Sequence, residues 1–480
     1  SLEYVKQYRG SHSNLNANQG YLLEQCVVWQ RLSEQLGWKC DNVRAAYSEI
    51  SQDIQNEVYD GAKSFVKANK GRYKCGGYIY TGEGQDIGQF WAELNVGNAK
   101  VKKTTANESV TNGNAMYSIA GATFGIFSDQ NCSNQIGTLT TNENGDTNEV
   151  EVTAGTVCIK ELSAPKGYKL DTTVRSLKVE AGKTVTLNVS DVPKVTETLV
   201  DLFKIDMETG KATAQGNAAL AGAEFTWHYY DGFYTKDNLP EKAIRTWVTK
   251  TVAEKSSDGS IHYVTKMSDA YKVSGDAFYI QNEKGVLLLG TLTVEETKAP
   301  DGAYMQAGDS TEQIKGMYLT QITEDGELAV LSGSNQYSVS DQVIRGGVKI
   351  QKRDLETKDT KAQGSATLKD AAFAIISLNE NPVLVEGKLY KKNETVKTIQ
   401  TGIDGIATTT ADLLPYGKYK LEETKAPEGY LTDGAKAIEF SITENGKIVD
   451  LTGESHSIYN QIKRGDLEGV KIGAGTHKRL

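Results

Sequence analysis

KELSAPKGY (Lys160–Tyr168), EETKAPDGAY (Glu295–Tyr304) and EETKAPEGY (Glu422–Tyr430) are one phrase written three times in this chain. Each copy closes a run of alternating apolar residues, sets a Glu four residues before a Pro, and turns on Pro and Gly. Well upstream of each copy lies a strand-like run carrying a Lys, and downstream lies another carrying an Asp or Asn. Side chains alternate faces along a strand, so register decides which residues share a surface. Ala99 and Val101 share one with Lys103, Ile159 with Glu161, and Leu187 and Val189 with Asp191. The same holds for Leu202 with Lys204, Leu292 and Val294 with Glu296, and Val339 with Asp341. It holds again for Val348 and Ile350 with Lys352, Tyr419 and Leu421 with Glu423, and Ile458 with Asn460. Solvated charges at strand ends would explain one such set. Three in the same order point to a repeated module with a buried polar constellation.

Around this phrase the chain reads as mainly β. Short alternating runs rich in Thr and Tyr, broken by turns such as Asp258-Gly259 and Asp404-Gly405, predict tandem Ig-like β-sandwiches. A smaller α+β segment precedes them. There Leu22, Cys26, Trp29 and Leu32 recur at helical spacing, as do Ile50, Ile54, Val58 and Phe65, before Gly71 stops the second helix. The expected divisions are 1–93, 94–193, 194–345, 346–464 and 465–480, the third lengthened by an insertion and the last opening a further repeat with Lys471. No secretion-signal pattern opens the chain, so it reads as part of a longer protein.

A net charge of −9 without a long basic cluster argues against nucleic acid as a partner, and no apolar run is long enough for membrane insertion. No metal site or cofactor is expected: Cys26, Cys40, Cys75, Cys132 and Cys158 lack both CxxC spacing and a His pattern. Cys40 with Cys75, and Cys132 with Cys158, are possible disulfides, while Cys26 falls on a helical core face.

The constellation permits a definite chemistry. Burial lowers the pKa of a Lys, making a neutral amine available, and raises that of a carboxyl, keeping it protonated. A neutral amine held against an Asp or Asn carbonyl is a nucleophile in attack geometry, and a protonated Glu can polarise that carbonyl and shuttle protons. The product is an intramolecular amide formed once, so this is self-modification and not enzymatic turnover. By analogy with disulfide loop closure, each link contributes ~4–5 kcal/mol, and it resists both tension and reduction.

The ETKAPxGY phrase, the Lys-x-Asp strands (Lys204-Ile205-Asp206 and Lys352-Arg353-Asp354) and the closing Asp or Asn strand resemble Cna-B/SpaA-type domains of Gram-positive pilins and adhesins. The resemblance covers about 94–464. It implies an exported stalk, commonly anchored to the cell wall by sortase and joined to other pilin subunits, which presents a tip to a host surface protein or glycan. By position it makes Lys103, Lys204 and Lys352 the amine donors. Glu161, Glu296 and Glu423 become the catalytic acids, and Asp191, Asp341 and Asn460 the acceptors. The second division departs in having Thr105 where an Asp often stands. Residues 22–29 and 76–90 resemble part of a thioester (TQXA-type) domain, which makes Gln25 the thioester candidate. Glu24 replaces the usual Thr, and no Cys precedes Gln25, so no thioester is expected in this sequence.

Two rival readings stand beside the stalk. The aromatic run Trp227-His228-Tyr229-Tyr230, with Tyr234 and Trp247, could make the third division a glycan- or protein-binding module. A secreted enzyme would need a motif such as HExxH or GxSxG, and none occurs.

Overall fold

The computed structural model describes residues 1–12, 14–37, 47–84, 87–196, 202–305, 317–324, 338–433 and 435–479. The chain folds as two compact units, Ser1–Pro193 and Lys194–Leu480.

The first unit opens with helices α1 (Leu2–Ser11), α2 (Ala17–Leu36) and α3 (Gln52–Ala68). A reciprocal capping box starts α2, with Asn16 and Gln19 each accepting from the other's backbone N–H, and Gly37 in the left-handed region ends it. Val5, Leu23, Cys26, Val27, Val58 and Ala62 form the helical core. The buried stripe of α2 runs through Leu23, Cys26 and Val27, so Cys26 lies in the core as expected, while Leu22, Trp29 and Leu32 are only partly buried. A hairpin of Tyr73–Tyr80 with Ile87–Leu94 follows.

The remainder of this unit is a sandwich. One sheet has the order Val150–Thr153, Val96–Thr105, Thr184–Asp191, and the other runs Gln135–Thr140, Thr123–Phe127, Gly155–Ser163, Arg175–Val179. Ala99, Val101, Phe124, Ile126, Ile159 and Val189 fill the space between them. In the strand Val96–Thr105, Ala99, Val101 and Lys103 are buried, while Lys100 and Lys102 are only partly so. This is the alternation a half-buried strand requires.

The second unit repeats the plan twice. In the sandwich here called the third, after its sequence division, Leu202–Asp206 and Ser338–Val343 lie side by side in one sheet. Glu224–Tyr230 and Gly290–Lys298 lie side by side in the other. In the fourth, Arg345–Asp354 pairs Ile458–Asn460, and Ala372–Ser377 pairs Gly417–Lys425. The fourth core holds Val348, Ile350, Phe373, Ile375, Tyr419 and Leu421.

In all three sandwiches the first strand runs parallel to the closing strand, with one register. Lys103 faces Val189, Lys204 faces Val339 and Lys352 faces Ile458, and each acceptor stands two residues further on. The repeated phrase forms the same turn each time. Tyr168 N–H donates to Pro165 O, Ala303 N–H to Pro300 O and Tyr430 N–H to Pro427 O. The Gly at the third position has φ of +85°, +77° and +86°, a conformation that costs other residues dearly.

Two expectations are corrected. Cys132 and Cys158 are separate thiols. Cys158 is buried beside Ser176 on the face of Gly155–Ser163 opposite the core residues Val157 and Ile159, whereas Cys132 sits at positive φ in a turn organised by the Asp129 carboxylate. Cys75 is an exposed free thiol, and Cys40 lies outside the described residues. The aromatic run of the third sandwich is largely core, with His228 and Tyr234 only partly buried. Trp227, Tyr229 and Trp247 are fully buried, with Trp227 Nε1 donating to Thr249 and the Tyr229 hydroxyl to the Leu289 carbonyl. Among residues 465–479 the described pairing is the single bridge Ile472–Arg479, and Lys471 is exposed.

Candidate functional site

Each sandwich brings its Lys, Glu and Asp or Asn into one cluster between the sheets. In the second, Lys103 Nζ donates to Glu161 Oε1 at 2.5 Å and lies 2.6 Å from Asp191 Oδ2. In the third, Lys204 Nζ is 2.5 Å from Glu296 Oε2 and 3.0 Å from Asp341 Oδ2. In the fourth, Lys352 Nζ is 3.1 Å from Glu423 Oε1 and donates to Asn460 Oδ1. All three lysines are fully buried, which water-loving ammonium groups tolerate only when paired. Among the described residues, neither carboxylate oxygen of Asp191 accepts a hydrogen bond, nor does Asp341 Oδ2. The amine therefore approaches both carboxyls off the hydrogen-bonding direction.

The Glu is aimed inward by a local device. Beside each, the neighbouring strand breaks register by a β-bulge, between Thr123 and Phe124, Glu224 and Phe225, and Ala372 and Phe373. A bulge re-aims one side chain while the ladder continues on either side. The Phe that follows stands directly across from the Glu. Its ring lies under the amine, with Nζ 4.9 Å from the Phe124 centroid, 5.9 Å from Phe225 and 5.9 Å from Phe373. These aromatics belong to the cluster but escaped the sequence reading. The signal was an Ala two residues before each Phe (Ala122, Ala223, Ala371), a third short pattern in step with the other two.

Burial shifts the protons. It pushes the Glu161 carboxyl above its ordinary range against the pull of Lys103 and the Asp171 N–H, and it pushes Glu423 the same way against Lys352. Glu296 rises to about 8, through burial and with Asp341 adding to it, against the pull of Lys204. The Lys352 amine falls to about 8 because burial disfavours its charge more than Glu423 stabilises it.

The candidate in the helical segment stands apart from these. Gln25 is half-buried on α2 and lines a cavity with Leu2, Val28, Trp29, Leu32 and Phe90, and among the described residues no cysteine lines that cavity. Among the described residues no group of His, Cys, Asp and Glu could hold a metal ion, and no helix is long and apolar enough to cross a membrane.

Residues 97–193 and 353–456 match the family model of the SpaA prealbumin-like fold domain, so the chain carries domains of that fold. No curated protein matches. Among solved structures, the Bacillus anthracis TIE protein is similar at 21% identity and a TM-score of 0.46, over 81% of this chain and 58% of that one. The chain thus spans less than two thirds of that protein. BcpA, the major pilin subunit of Bacillus cereus, is 19% identical with a TM-score of 0.27, over 77% of this chain and 100% of its own. The major pilin SpaD from Corynebacterium diphtheriae is 15% identical with a TM-score of 0.21, over 77% of this chain and 98% of its own.

Proposed function

We propose that each cluster closes an intramolecular amide, Lys103 to Asp191, Lys204 to Asp341 and Lys352 to Asn460. The chain would then be a covalently tied stalk of a Gram-positive surface adhesin or pilin, which holds a tip domain toward a host protein or glycan. The observation that carries this reading is a buried amine touching both a buried Glu carboxyl and a second carbonyl group, three times in one register.

The neutral amine attacks Cγ of the acceptor, while the protonated Glu donates to the carbonyl oxygen and stabilises the negative charge that develops there. The Glu takes up the proton the amine sheds and delivers one to the departing group. An Asp acceptor enters as the neutral acid, having taken the proton that the lysine ammonium gives up, and releases water as the C–O bond breaks; an Asn acceptor releases ammonia as the C–N bond breaks. The Glu ends as it began. The Phe face lowers local polarity, which favours the neutral forms of both partners.

Intact mass under reducing conditions tests this. The wild-type chain should be lighter than its sequence by two waters and one ammonia. Glu161→Ala, Glu296→Ala and Glu423→Ala should each abolish one loss. An unshifted wild-type mass would reduce the clusters to buried ion pairs.

A further inference from the structure

The third sandwich meets the fourth through a polar network that begins beside its reacting groups. Asp206, two residues after Lys204 and directly across from Asp341, is 4% exposed and accepts from Gln215 Nε2 at 3.1 Å. The same Gln215 nitrogen donates to Glu208 Oε2 at 2.7 Å, and its Oε1 accepts from the Leu384 N–H of the fourth sandwich at 2.8 Å. Gln342, the neighbour of Asp341, also donates to Glu208. Arg345 closes the circuit. Its Nε and Nη2 donate to the two Glu208 oxygens at 2.7 and 2.5 Å, and Nη2 and Nη1 donate to the Leu384 and Leu413 carbonyls at 2.7 and 2.9 Å. One branch thus leads from Leu384 to the donor strand, and the other leads through Arg345 to the acceptor strand.

The other sandwiches supply the control. The fourth carries the same residues in the same places: Gln363 donates to Asp354 and Glu356, and Gln461 and Arg464 donate to Glu356. There the Arg464 side chain is 69% exposed against 17% for Arg345. Among the described residues Arg464 donates to no carbonyl of another sandwich. The second has none of the set, since Thr105 replaces the Asp and Val192-Pro193 follow the acceptor.

We infer that Glu208, Gln215 and Arg345 are positioning residues through which the folded fourth sandwich sets the geometry of Lys204 against Asp341. This rests on the amide-forming reading above. The third bond would then mature only after its neighbour has folded and docked, whereas the second and fourth would mature independently of this joint. The physical basis is the steep dependence of such reactions on placement, where a 1 Å error costs up to about a hundredfold in rate.

The test follows newly synthesised full-length chain by time-resolved mass spectrometry, quantifying the Lys204–Asp341 cross-linked peptide against the Lys103–Asp191 peptide of the same molecules. Arg345→Ala and Glu208→Gln should slow the former at least about tenfold and leave the latter unchanged. Arg345→Lys should restore part of the rate. Hydrogen exchange of the Glu224–Tyr230 strand reports whether a variant has merely unfolded, and the isosteric Glu208→Gln guards against that outcome. Both cross-links forming at wild-type rates in a folded Glu208→Gln chain would overturn the inference while leaving the amide chemistry standing. A wild-type chain without the Lys204–Asp341 peptide would sink the underlying reading, and the inference with it.

Discussion

The third and fourth sandwiches differ by one functional group at the acceptor, a carboxyl on Asp341 and an amide on Asn460, and the proton balance around the lysine changes with it. In the third, two carboxyls crowd one amine. Burial and mutual repulsion hold a proton on Glu296 up to about pH 8. In the fourth the amide adds no negative charge, so less holds the ammonium in place, and Lys352 gives up its proton near 8. The residue two beyond the donor follows suit. Burial drives Asp206 up, whereas Asp354, though buried too, is held below its usual range by the Thr357 and Glu356 N–H groups, Gln363 and the Tyr430 hydroxyl. Burial thus raises the acid in both sandwiches, and in the fourth it also lowers the amine.

The largest expected effect would break the comparison altogether. Glu423→Ala should abolish the ammonia loss. It should also destabilise the fourth sandwich by ~4–5 kcal/mol through the missing link alone, with Lys352 left unpaired adding to that. Thermal unfolding beside intact mass measures both, and the water losses should persist.

Next comes the pH dependence of bond formation. Below about 8 the neutral fraction of Lys352 falls about tenfold per pH unit, so ammonia release should slow in step as pH drops. Water release at the third site should instead decline above about 8, where Glu296 loses the proton it must donate. Stopped-time mass spectra across pH 6–10 check this, and parallel profiles would refute the contrast.

Asn460→Asp sharpens it further. Ammonia loss should become water loss, and the profile should move toward that of the third site. A variant that keeps the amine, Asn460→Ala, exposes the stability linkage. The folded pKa of Lys352, about 8, lies below its ordinary 10.5. The folded state therefore binds fewer protons than the unfolded one between these values, and stability should rise with pH through that window. The urea midpoint of this sandwich between pH 7 and 11 is the measurement.

The smallest effect concerns Tyr430, whose hydroxyl donates to Asp354 Oδ2 at 2.8 Å. Tyr430→Phe should cost about 1–2 kcal/mol by denaturant melt. The third sandwich has no counterpart bond among the described residues, because Ala303 displaces Tyr304 in its copy of the phrase.

Much of this was legible because strand register is a rigid rule. Once Val101, Leu202 and Ile350 are placed inward, Lys103, Lys204 and Lys352 must follow, and the apolar neighbours of Glu161, Glu296 and Asn460 fix those residues too. What stayed hidden depends on events that register does not encode. The bulges that seat Phe124, Phe225 and Phe373 beneath the amines are departures from the ladder. Glu208 and Arg345 are polar residues outside the apolar alternation, and only packing between two sandwiches gives them a role. Cysteine pairing requires distances that spacing cannot supply, and Cys132 and Cys158 sit in different local structures. The aromatic run misled because Trp and Tyr serve surfaces and cores alike. The Thr249 hydroxyl and the Leu289 carbonyl, which satisfy their polar tips inside, lie far off in sequence.

The parallel pairing of first and closing strands has a mechanical consequence. The chain enters each sandwich at the start of one strand and leaves at the end of its neighbour, so a pull on the two ends slides the strands past each other lengthwise. Such shear loads the whole row of backbone hydrogen bonds at once, whereas antiparallel neighbours would peel apart one bond at a time. The lysine sits near the far end of its strand, at residue 103 of Val96–Thr105 and 352 of Arg345–Asp354. A bond there would let only the strand residues ahead of the lysine slip, seven of ten in each strand, before the force passed through a single amide, and the fold behind it would never feel the load.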